Sequence, residues 1–150
     1  MSKGTTSTVA LVVDDEPEYL VWLKDYLESV GLSTDVALNL SEALEAIEKK
    51  DYRLIILDME IPASGASAAL LKKGPLAAQK YPGIIAAIHC RSKGYGAHQI
   101  IAYTVHDQDA LDVELAKLNC RYVLKGRPHV LKSVIRSSLP HQAPRKARSR

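Results

Sequence analysis

Five short apolar runs, spaced along 150 residues, limit what this chain can fold into. Residues 9–13, 54–57, 100–103 and 122–124 are apolar throughout, and residues 34–37 form a weaker run of the same kind. Each is too short for a core helix and apolar on both faces, which is the pattern of strands buried from two sides in a parallel sheet. Between the runs the apolar residues change to a helical period. Leu20, Leu23, Leu27 and Val30 mark one helix, opened by Pro17 after acidic residues and closed by Gly31. Ala43, Leu44 and Ile47 mark a second, with Asn39 and Glu42 spaced as a capping box. Leu111, Leu115 and Leu118 mark a later helix, and Leu131, Val134, Ile135 and Leu139 the last. Strand and helix in alternation give an α/β, doubly wound, five-stranded parallel sheet in one domain over residues 9–139.

The chemistry sits at the ends of these runs. Asp14 and Asp15 close the first run, Asp58 closes the run at 54–57, and Thr104 and Lys125 close two later ones. In a parallel sheet these positions share the carboxyl edge. Two like charges ~4 Å apart repel by about 4 kcal/mol at an effective dielectric near 20, so three carboxylates together call for a cation or a bound proton. The residues therefore predict a divalent metal site, with a hydroxyl and an ammonium as further ligands for an anion.

Composition excludes several alternatives. The formal charge of +3 comes from Arg145, Lys146, Arg148 and Arg150; without them 16 basic residues face 17 acidic ones. The folded surface thus shows no basic excess for gripping nucleic acid. Cys90 and Cys120 lack metal-type spacing and are expected to be reduced thiols of a cytoplasmic protein. No stretch approaches the ~20 apolar residues of a membrane span, and the start of the chain lacks the apolar core of a signal peptide. Residues 1–8 read as a flexible N-terminus and 140–150 as a basic disordered tail.

One segment breaks the alternation. Strand-to-helix loops take roughly 2 to 6 residues, yet residues 63–82 separate the run ending in Asp58 from the helical pattern starting near Ile84. They read as an insertion beside the site, with a short helix at 67–73 interrupted by Gly74 and Pro75.

The pieces Val12-Val13-Asp14-Asp15-Glu16-Pro17, Leu57-Asp58-Met59-Glu60-Ile61-Pro62, Tyr103-Thr104 and Tyr122-Val123-Leu124-Lys125 resemble, in order and spacing, the receiver domain of response regulators, the CheY-like superfamily of two-component signalling. The resemblance runs from residue 9 to about 139. It implies a flavodoxin-like fold with strand order 2-1-3-4-5. It further implies that Asp58 is the phosphoacceptor and that Mg²⁺ is the cofactor, held by Asp15, Asp58 and the backbone carbonyl of Glu60, with Asp14 acting through water. Lys125 and Thr104 would contact phosphoryl oxygens, and Tyr122 with Thr104 would form the switch. The partners implied are a sensor histidine kinase or a histidine phosphotransfer protein and a downstream protein target. The chain would be a stand-alone acceptor that relays a signal by contact, rather than a turnover enzyme.

Three positions depart from the family's pattern. Gly126 stands where proline commonly follows the lysine, Val105 where a small residue follows the threonine, and Glu60 adds a carboxylate. The alternative they leave open is a pseudo-receiver acting as a phosphorylation-independent binding module. Tyr19, Trp22 and Tyr26 form a second stripe on the first helix, read as packing before docking, and the five histidines show no ligand spacing.

Overall fold

In the computed structural model, residues 7–105 and 109–140 are described. Five strands, β1 (Val9–Val13), β2 (Ser33–Ala37), β3 (Leu54–Leu57), β4 (Ile100–Thr104) and β5 (Arg121–Leu124), form one sheet in the order β2-β1-β3-β4-β5, with every neighbouring pair parallel. This is the flavodoxin-like arrangement that the alternation and the resemblance led us to expect. Six helices surround it: α1 (Val21–Ser29), α2 (Leu40–Lys49), α3 (Gly65–Leu71), α4 (Gly83–Ser92), α5 (Asp109–Leu118) and α6 (Pro128–Ser138).

Strand alternation divides the core into two halves. Ala10, Val12, Leu54, Ile56, Ile101 and Val123 meet Leu23 and Leu27 of α1 and Leu131 and Ile135 of α6. Leu11, Val13, Ile55, Leu57 and Ala102 point the other way, onto Leu40 and Ile47 of α2, Ile84 of α4 and Leu111 and Leu115 of α5. Successive side chains of a strand face opposite sides, so a run apolar throughout can be buried only between two helical layers.

Local signals account for the helix ends, with small displacements. Pro17 opens a 3₁₀ turn, Pro17–Leu20, before α1 begins. After α1, Leu32 donates to Leu27 O (2.9 Å) and Gly31 to Glu28 O (3.1 Å), a Schellman closure that requires the left-handed φ of 91° at Gly31. At α2 the Asn39 side chain accepts from Glu42 N–H (2.8 Å), as the spacing predicts. The Glu42 carboxylate reaches past Asn39 and accepts from Leu38 N–H instead (2.8 Å).

The insertion consists of α3, a 3₁₀ turn (Leu76–Gln79) and their connections. Its helix starts two residues earlier than the apolar pattern indicated, because Ser64 and Ser67 form a reciprocal cap: Ser64 N–H donates to Ser67 Oγ (3.1 Å) and Ser67 Oγ to Ser64 O (2.7 Å). Ala78, Tyr81 and Pro82 are buried. The expected flexible N-terminus and basic tail lie largely outside the described residues.

Candidate functional site

Register brings the carboxylates together. Val13 pairs with Leu57, and the ladder runs one residue further, Asp58 N–H donating to Val13 O (2.9 Å) and Asp14 N–H to Ala37 O (3.0 Å). Asp14 and Asp58 therefore leave the carboxyl edge side by side. On the other flank Thr104 pairs with Leu124, and Lys125 N–H donates to Thr104 O (2.8 Å). Lys125 thus emerges at the same edge.

The side chains converge. Lys125 Nζ lies 2.5 Å from Asp14 Oδ2 and 3.2 Å from Asp58 Oδ2. One carboxylate oxygen each from Asp14, Asp15 and Asp58 lies within 4.8 Å of the others. Asp14 is 2% exposed and Asp58 9%, whereas Asp15 faces solvent. The remaining oxygens of the buried pair accept from the backbone, Asp14 Oδ1 from Glu16 N–H (2.8 Å) and Asp58 Oδ1 from Glu60 N–H (3.2 Å). Thr104 is fully buried at the end of β4. Tyr122 is half-buried and packs on the side of the sheet that holds α5, while Glu60 and Val105 are exposed.

Charge in this cluster is finely balanced. Burial pushes the Asp58 carboxyl above its ordinary value, a tendency that Lys125 opposes. Burial alone would lower Lys125, but its contacts with Asp14 and Asp58 outweigh that and leave it raised, so the ammonium stays charged. Three carboxylates and one ammonium leave two uncompensated negative charges, the complement of one divalent cation. Hard carboxylate oxygens, one of them on the exposed Asp15, fit Mg²⁺, which keeps several waters when bound by protein.

Two neighbours, Gly83 and Tyr103, escaped the reading of the sequence. Gly83 N–H donates to Met59 O (2.8 Å), and a Cβ on Gly83 would lie 2.7 Å from Met59 Cα and closer still to Asp58 O. Only glycine lets α4 start against the Asp58–Met59 peptide; a Pro-Gly dipeptide in sequence signals a turn, not this contact. The Tyr103 ring centre is 6.0 Å from Lys125 Nζ. Gly126 itself has φ 91°, which proline, locked near −65°, cannot adopt. The missing proline is thus a different local turn after Lys125, and Lys125 still reaches both aspartates.

Comparison with known proteins agrees with this geometry. A family model described as the response regulator receiver domain matches residues 10–71. The response regulator protein TrrA from Thermotoga maritima, solved in complex with Mg²⁺ and BeF, is 28% identical, with a TM-score of 0.66 over 89% of this chain and 100% of that one. A CheY-like receiver domain protein from Methanospirillum hungatei (23% identity, TM-score 0.64, covering 89% of this chain and 94% of that one) has the same fold. So does the BeF₃-activated receiver domain of RstA from Klebsiella pneumoniae (21% identity, TM-score 0.67, covering 89% and 99%). A search of curated proteins returns no match. Residues 10–71 thus match the receiver domain of response regulators, and the whole fold is that of the receiver domains just named. Among the described residues, no helix is long and apolar enough to cross a membrane.

Proposed function

We propose that the chain accepts a phosphoryl group on Asp58 from a histidine kinase or histidine phosphotransfer protein and passes the signal on by protein contact. The observation that carries this reading is the bridge from Lys125 to Asp58 and Asp14 beside the open carboxylate of Asp15. An Asp58 oxygen attacks phosphorus, an O–P bond forms, the donor's N–P bond breaks and the leaving imidazole takes up a proton. Lys125 neutralises charge on a phosphoryl oxygen as it develops, and Thr104, at the next strand end, donates a hydrogen bond to another. Asp14, Asp15, Asp58 and the Glu60 carbonyl would hold Mg²⁺, which supplies charge neutralisation between acceptor and phosphoryl oxygens when bound. Thr104 and Tyr122 are the residues through which the change at Asp58 would reach the outer surface of α5, β5 and α6. We further propose that the protein works in the cytoplasm and performs no turnover on a separate substrate.

Incubation with a small phosphodonor and Mg²⁺ followed by intact-mass measurement tests the reading. One added phosphoryl group, absent from Asp58→Asn and absent with EDTA, is the expected result. Labelling retained in Asp58→Asn places the chemistry elsewhere, and no labelling of the parent protein rejects the phosphoacceptor role.

A further inference from the structure

On the face shared by α1 and α6, two helices cover five strands and the outer strand β2 is left partly bare. Thr34 pairs with Ala10 and Val36 with Val12, whose side chains lie in the α1/α6 half of the core, so Thr34 and Val36 face this side too. Between them and α1 runs a groove of about 490 Å³, floored by Thr34 and Val36 and walled by Glu18, Val21, Asp25 and Glu28. The wall residues fall at helical spacing, one stripe of α1 and the turn before it.

Two properties of the groove point to a cationic peptide as its occupant. Val21 is 59% and Val36 45% exposed, apolar surface of the kind that the methylene stems of lysine and arginine cover. Glu18, Asp25 and Glu28 have no ion-pair partner among the described residues, and Lys24 is the single cation on the lining.

The chain supplies such a segment. Arg145, Lys146, Arg148 and Arg150 carry four cations in six residues with no acid among them. Near the end of the described residues, Leu139 O accepts from the Arg53 guanidinium, which also reaches Ser7 O (3.3 Å), and Ser33 N–H donates to Thr8 O (2.9 Å). The chain therefore departs at the amino edge of the sheet, the edge where Glu28 and Thr34 lie. The ~10 Å from β3 past β1 to β2 is two strand spacings. Five residues of extended chain reach ~17 Å, enough to bring Arg145 there. We propose that residues 145–150 dock in the groove between α1 and β2 of the same molecule, setting their cations on Glu18, Asp25 and Glu28.

Zero-length carbodiimide coupling of the full-length protein tests this, because Lys146 is the one amine in the segment. The monomer should yield Lys146 joined to Glu18, Asp25 or Glu28, and the product should vanish in about 0.5 M salt, where the screening length falls well below the ~8 Å of physiological conditions. The triple variant Glu18→Gln, Asp25→Asn, Glu28→Gln alters only exposed residues and should abolish it. In parallel, replacing the four cations by glutamine should shift the amide resonances of Thr34 and Val36 in the full-length protein. Coupling of Lys146 mainly to carboxylates elsewhere overturns the proposal, as does a product confined to covalent dimers, which assigns the groove to a second copy. Amide resonances that stay in place overturn it as well.

Discussion

Replacing Lys125 with methionine keeps the stem of the side chain and removes the charge that holds Asp14 and Asp58 together. The carboxylate oxygens then face each other within 4.8 Å, with Asp14 only 2% exposed. Coulomb's law at an effective dielectric near 20 gives a repulsion of about 3 kcal/mol at that separation. For a chain of this size each kcal/mol moves Tm by ~2–4 °C, so Lys125→Met should melt ~6–12 °C below the parent protein in EDTA. Magnesium should reverse much of the loss, since three negative charges now await the cation where two did before. The assay is thermal unfolding of both proteins in EDTA and in a magnesium series. The gain in Tm on adding Mg²⁺ should be larger for the variant, and half-saturation should come at lower Mg²⁺. Equal melting temperatures in EDTA, or equal gains with magnesium, refute the view that Lys125 and the cation compensate the same carboxylates.

The same geometry carries three other expected outcomes. Gly83→Ala should lower stability by about 1–3 kcal/mol through contact with the Asp58 carbonyl, although alanine ordinarily favours a helix by ~1 kcal/mol over glycine; a rise in Tm would show that α4 can move off the Asp58 peptide. Stability should fall as pH climbs past the ordinary lysine value of 10.5, because the folded state holds the Lys125 proton more tightly than the unfolded one, and urea titrations of the Lys125→Met variant should show a smaller alkaline loss. Burial pushes the Cys90 thiol far up and the Cys120 thiol up to about 11. Iodoacetamide at pH 8 should therefore label the folded protein slowly at both and the urea-unfolded protein quickly, as counted by mass spectrometry.

The sequence carried most of this fold, and for an identifiable reason. Central strands must be apolar on both faces, so β1, β3 and β4 stand out as unbroken runs, and the polar residues that end them mark the carboxyl edge. The edge strand β2 reads weakly because Asp35 and Val36 need not be buried. Asp14, Asp58, Thr104 and Lys125 were legible because each follows or closes such a run. Gly83 and Tyr103 were not, since each acts through a contact between segments distant in sequence, and neither proximity leaves a local pattern.

The insertion at residues 63–82 would loosen Asp58 if its ends were free, yet it is fixed where it matters. At its start Pro62 O accepts from Leu40 N–H (2.9 Å), which ties the segment to the first turn of α2. At its end Gly83 N–H holds Met59 O, with Tyr81 and Pro82 buried just before it. Both anchors lie within a few residues of the Asp58 backbone, so loop length is added beyond them and not between them and Asp58. Closing a longer loop costs only ~0.6 kcal/mol per doubling, which two backbone hydrogen bonds and a buried tyrosine readily offset. The consequence for the site is spatial: the added surface, with exposed Leu76, Lys72, Lys73 and Lys80, rises beside a cluster whose own geometry it leaves intact.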